Sequence, residues 1–113
     1  VSLETHRLYV DCRGSGSPRV LIDYGIAGAA VEWGEVQRAL AVETTVCVYD
    51  RAGYGWSDPG PSPRTAAQAA NEIEQLAHAL DWRGPLVLVG HSFGGFDVRR
   101  LAATRPSAVA GLV

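Results

Sequence analysis

Three short apolar runs, each followed by a segment long enough for a helix, decide most of what this chain can fold into. They are Arg19 to Tyr24 with Val-Leu-Ile at its centre, Thr45 to Tyr49 reading TVCVY, and Leu86-Val-Leu-Val89. Strands that alternate with helices build a parallel sheet, because parallel neighbours need a crossover and the crossover helix covers a face. The unbroken run at 86–89 predicts a strand covered on both sides. Ahead of these runs, Val1 to Cys12 alternates weakly, with a turn near Thr5-His6 that predicts a hairpin. Gly111-Leu-Val113 reads as the first residues of another strand. The expected order is a hairpin, strand and helix three times, and the stub of a further strand.

The helices are legible in the spacing. Val31 to Ala41 carries Trp33, Val36 and Leu40 three and four apart. Thr65 opens the clearest helix: Gln68 stands at capping-box distance, and apolar residues recur at 66, 69, 70, 73, 76, 77 and 80. Asp81 to Pro85 ends it. A third helix starts near Phe93 and stops before Pro106. The loop from Arg51 to Arg64 is 14 residues long and rich in Gly and Pro; so long a loop without structure of its own predicts a functional segment.

Composition removes several function classes. With 113 residues there is room for one domain at most. An apolar share of 47% with 19% charged residues excludes a disordered tail, a collagen-like chain and a membrane-spanning bundle. The net charge is −2 and no basic run exists, so no nucleic-acid partner is expected. Cys12 and Cys47 have no neighbouring His and do not make a zinc site; Cys47 is expected as a buried free thiol. The chain has no Met and begins inside a predicted strand. Residues 1–113 are therefore expected to be the amino-terminal portion of a single longer domain. The missing signal peptide then assigns no location, and the cytoplasm is only a default.

Chemistry concentrates at Gly90-His91-Ser92-Phe93-Gly94, a G-x-S-x-G pentapeptide between the most strand-like run and a helix. A turn that sharp strains the serine backbone, and side chains two residues to either side would collide, so glycine is needed at 90 and 94. Ser92 is expected to stand above the sheet edge at the amino end of the helix, where developing negative charge is favoured.

With this motif the sequence resembles the α/β-hydrolase family, over nearly the whole chain. GHSFGG at 90–95 resembles its nucleophile elbow. Tyr49 to Asp58 (YDRAGYGWSD) resembles the segment after its fourth strand, and Gly25-Ile-Ala-Gly28 followed by Trp33 resembles the loop after its third. The resemblance implies a mostly parallel α/β sheet with helices on both faces, incomplete in these residues. It implies Ser92 as nucleophile and the backbone N–H groups of Phe93 and Ile26 as oxyanion-hole donors. It implies no cofactor and no metal, and a small acyl or ester substrate. Many family members carry His before the loop glycine; here Asp23 and Tyr24 stand there. They are expected either to replace its hydrogen bonding or to mark a subgroup with different chemistry.

A serine nucleophile needs a base, and the base an orienting acid. Only 21 residues follow Ser92, with one acid, Asp97, and no His. The resemblance places both partners beyond this sequence. His91 is expected to pack or to make a supporting hydrogen bond, His78 to be solvated on the second helix, and His6 to be exposed in the hairpin turn. Asp97 reads as a first-turn helix acid, and Asp50 as a cap for the loop after its strand. Ser57 reads the same way, or as bordering a pocket. Trp33, Trp56 and Trp82 read as packing residues. The function expected of the intact protein is hydrolysis of a carboxylic ester or related acyl bond through an acyl-serine. A non-catalytic member that binds a small apolar ligand is the alternative. A nucleotide-binding domain is disfavoured, since the first loop reads GIAGAA and no Gly-Lys-Ser/Thr occurs.

Overall fold

A computed structural model describes all 113 residues. The chain forms β1 (Val10–Arg13), β2 (Val20–Asp23), a 3-10 turn (Ala30–Trp33) leading into α1 (Gly34–Leu40), and β3 (Val46–Tyr49). It continues with α2 (Ala66–Ala79), β4 (Leu86–Gly90), α3 (Gly94–Thr104) and β5 (Val109–Leu112). The strands make one sheet in the order β1-β3-β2-β4-β5. All pairs are parallel except β1 with β3. The expected α/β alternation is therefore present. The hairpin shrinks to one antiparallel bridge, Ser2 with Arg7, because the chain from Val10 onward pairs with β3 instead.

Period-two alternation sorts the sheet into two cores. Leu21, Cys47, Tyr49, Leu86 and Leu88 point to one face and pack with Ile73 and Leu76 of α2 and Val98 and Leu101 of α3. Val20, Ile22, Val46 and Val48 point to the other and pack with Ala30 and Trp33. β2 and β3 are buried along their whole length. Val87 and Val89 of β4 are only half-buried, because α1 packs over β3 and leaves that face of β4 open. α2 begins as expected: Thr65 Oγ1 accepts from the Gln68 N–H at 3.2 Å, and Gln68 Oε1 accepts from the Thr65 N–H at 3.3 Å.

Two expectations need correction. α1 does not bury Val36 and Leu40, which stay 45% and 40% exposed, but the polar Gln37. Gln37 Nε2 donates to the carbonyls of Asp11 at 2.8 Å and Val46 at 3.1 Å. A buried amide that satisfies two strand carbonyls outweighs the weak apolar spacing. Cys47 is buried, yet it is no free thiol: Cys12 lies directly opposite it across the β1–β3 pair, and the two form a disulfide. No helix is long and apolar enough to cross a membrane.

Candidate active site

β4 ends at Gly90 and α3 begins at Gly94, so three residues reverse the chain. Ser92, at their centre, has φ +53°, left-handed backbone that costs about 1–3 kcal/mol for a residue with a side chain. A Cβ on Gly90 would overlap the Val98 side chain and come within 2.8 Å of the Gly95 Cα. One on Gly94 would overlap the main-chain carbonyl of Asp23. The turn is locked from inside by Gly94 and Gly95, whose N–H groups donate to the carbonyls of His91 and Ser92 at 3.0 Å. It is tied to β2 by the His91 N–H, which donates to the Asp23 carbonyl at 2.9 Å. Ser92 is exposed at the tip.

The loop after β2 passes beside this turn. A Cβ on Gly25 would lie 3.2 Å from the Ser92 Cβ and 3.3 Å from His91 Nδ1, so glycine permits the approach. Neither the Ile26 nor the Phe93 amide donates to any group of the chain. The Ile26 side chain is 66% exposed and Phe93 is half-buried. A cleft of about 160 Å³ opens on one side of the serine, lined by Ile26, Arg51, Tyr54, Arg64, Phe93 and Asp97 among others. On the other side a shallower cleft of about 350 Å³ is lined by Gly25, Ile26, Trp33 and His91. Ser92 lines neither; its chain neighbours Phe93 and His91 line one each.

Beneath the loop lies a buried polar cluster. Asp50, at the end of β3, accepts from the Tyr24 hydroxyl at 2.6 Å and from the N–H groups of Ala30 at 2.8 Å and Trp56 at 3.0 Å. It thus caps its own loop, as expected, and also ties down the start of the 3-10 turn. Arg51 is buried. Its guanidinium donates to the carbonyls of Tyr24 and of Gly25, the latter at 2.9 Å, and to the Asp23 carboxylate. It lies 4.8, 5.1 and 5.5 Å from the ring centres of Tyr54, Tyr24 and Phe93. Asp23 also accepts from the Tyr49 hydroxyl at 2.7 Å. Asp23 and Tyr24 thus do supply hydrogen bonding around the loop, with Arg51 as the common partner.

Titration follows burial. Burial raises Asp23, against the pull of Arg51. It pushes Asp97 up to about 7, with the Asp23 charge adding to the effect. Tyr24 and Tyr49 are raised by burial and then by the carboxylates they serve, Asp50 and Asp23.

None of the three histidines makes a hydrogen bond to Ser92. His91 is exposed and has its ring 5.6 Å from that of Trp33. His78 is exposed on α2. His6 departs from expectation: its side chain is 5% exposed, with Nε2 3.4 Å from Glu72 Oε1, because the amino-terminal turn folds onto α2. Trp56 departs too. Its N–H is held by Asp50, but the ring points outward, 83% exposed. Trp82 is half-buried against the core, and Ser57 braces the loop by accepting from the Tyr9 N–H at 2.8 Å.

A family model described as the alpha/beta hydrolase fold matches residues 18–113. The chain belongs to the alpha/beta hydrolase fold family. It is similar to the lipase LipV of Mycobacterium tuberculosis, 41% identical over 101 residues, which cover 88% of this chain and 37% of LipV. The chain is also similar to "Probable transporter efuK" of Hormonema carpetanum, 34% identical over 105 residues, covering 88% of this chain but 15% of that protein. Among solved alpha/beta hydrolase structures, a thermophilic esterase from Thermogutta terrifontis superposes with a TM-score of 0.91 at 28% identity, over 99% of this chain and 43% of its own. The chain thus spans less than half the length of these relatives.

Arg51 was not singled out by sequence reasoning, which treated it only as the first residue of a long loop. A signal existed: Asp50-Arg51 follows a fully apolar strand directly, where a charge can be buried only if it is paired. The burial of Asp97 was also legible. With Gly94, Val98 and Leu101 it falls on the inward stripe of α3.

Proposed function

We propose that the intact protein hydrolyses a carboxylic ester or a related acyl bond through an acyl-serine at Ser92. One observation carries this reading. An exposed serine sits in strained backbone on a glycine-flanked turn, with two unengaged amides, Ile26 and Phe93, on the adjoining segments. Ser92 Oγ attacks the substrate carbonyl carbon, and its proton passes to a general base. The carbonyl oxygen becomes an oxyanion and accepts from the Ile26 and Phe93 N–H groups. Collapse expels the alcohol with a proton and leaves the acyl-serine. Water, deprotonated by the same base, then releases the acid and restores the hydroxyl. The three histidines of these 113 residues do not fit the base, so base and orienting acid are assigned to residues outside them. That the relatives include a lipase and an esterase supports the same reading.

The test is a fluorophosphonate probe on the full-length protein. We expect stoichiometric labelling at Ser92, abolished in Ser92→Ala, with ester turnover reduced at least ~10³-fold in that variant. A folded protein that leaves the probe untouched and yet binds a small apolar ligand would support a binding member of the family instead.

A further inference from the structure

Two buried carboxyl groups share one guanidinium beneath the loop that carries Ile26. The groups facing Asp97 are Asp23 from β2, Tyr49 and Arg51 from the end of β3, and Arg64 from the loop ahead of α2. Arg64 is committed elsewhere: both its terminal nitrogens bind the Glu72 carboxylate of α2, at 2.5 and 2.6 Å. His6 Nε2 also lies 3.4 Å from Glu72 Oε1. Arg51 is committed to Asp23 and to two main-chain carbonyls. Asp97 is left without a cation of its own. Arg51 Nη1 is 4.0 Å from Asp97 Oδ2, and neither Asp97 oxygen has a hydrogen-bond partner as a carboxylate. A protonated Asp97 removes the conflict: its O–H donates to Asp23, and the cluster is neutral with one anion and one cation.

We propose that Asp97 is a positioning residue for the oxyanion loop: as the neutral acid it donates to Asp23, which leaves Arg51 to hold the carbonyls of Tyr24 and Gly25 and so to aim the Ile26 amide. The proposal rests on the acyl-serine reading above. When Asp97 gives its proton to solvent base, a second buried anion faces Arg51. The guanidinium turns to bridge the two carboxylates, its hydrogen bonds to Tyr24 and Gly25 lengthen, and the Ile26 N–H leaves the line to Ser92. Burial among these groups places that ionisation near neutrality, at about 7, shared with Asp23 as a pair.

The experiment measures, on the full-length protein, kcat/KM for p-nitrophenyl acetate and the rate of fluorophosphonate labelling against pH. Each profile is scaled to its own maximum. The wild-type profile is expected to fall toward about tenfold per pH unit on the alkaline side, the slope of one proton. In Asp97→Asn, whose amide stays neutral and still donates to Asp23, that limb is lost. Should this variant not fold, the infrared carboxylic C=O band of the wild-type protein serves. It must persist at about pH 6, above the ordinary carboxylate range, and vanish with the midpoint of the labelling profile. Labelling with superimposable wild-type and Asp97→Asn profiles, or absence of the band, overturns this proposal alone. Failure to label Ser92 at any pH overturns the hydrolytic reading and this proposal with it.

Discussion

Gly94 shows how little room the serine turn has. The main-chain carbonyl of Asp23 occupies the space its Cβ would need, and that carbonyl is already fixed by the His91 N–H. Gly94→Ala must therefore push β2 away from the turn. We expect a loss of about 1–3 kcal/mol by urea denaturation, the usual cost of overpacking, together with slowed labelling at Ser92. Asp97 makes a prediction of opposite character. Its ordinary value is 3.8, and in the fold it is raised to about 7 by burial first and the Asp23 charge second. The folded state therefore holds a proton that the unfolded chain has released. The stability this group contributes is full below 3.8 and declines as pH rises to about 7. Asp97→Asn is expected to gain stability relative to wild type across that window and to show a constant difference above it. Urea midpoints measured at both ends check the sign; a difference that does not grow with pH contradicts it.

Among the elements, α1 depends most on a single side chain. Gln37 is the only residue by which this short helix satisfies the carbonyls of Asp11 and Val46, while Val36 and Leu40 face outward. Gln37→Ala leaves two strand carbonyls without that donor and is expected to cost about 1–3 kcal/mol. The loss should appear as early hydrogen exchange in α1 and β1 and leave β4 protected. The same helix shows where sequence reading stops. α2 was legible from its cap and stripe, and β2 and β3 from their apolar runs, whereas the run of β4, expected to be covered on both sides, leaves Val87 and Val89 half-buried. α1 was placed correctly, but its inward face was misread, because a spacing of three and four fits Val36 and Leu40 whether or not a sheet lies beneath them. The pairing of Cys12 with Cys47 was invisible for a related reason. It depends on β1 choosing β3 as its partner, a long-range register that no local pattern carries. At the candidate site, the sharp turn at Ser92 with its glycines at 90 and 94 was readable from residue type and spacing. Arg51 was not, because its partners lie 26 to 28 residues away on another strand.

At the scale of the whole molecule the sheet has one well-covered half and one thin half. β2 and β3 lie between two cores, while β5 is an edge with exposed and half-buried residues alternating. Leu112 on that edge is 46% exposed, beside unpaired main-chain groups. An apolar open edge recruits other strands. The 113-residue polypeptide expressed by itself is expected to self-associate, and Leu112→Lys to suppress that association in light scattering. Equal scattering from both would show that the edge is not the contact.

Three neighbouring strands each furnish one part of the candidate site: β4 leads to the Ser92 hydroxyl, β2 to the loop with the Ile26 amide, β3 to the arginine bound to that loop. Anyone transplanting the pentapeptide at 90–94 into a foreign scaffold would carry across the Ser92 hydroxyl and leave behind the loop and the arginine that surround it. The smallest portable unit is the whole β3-β2-β4 ribbon.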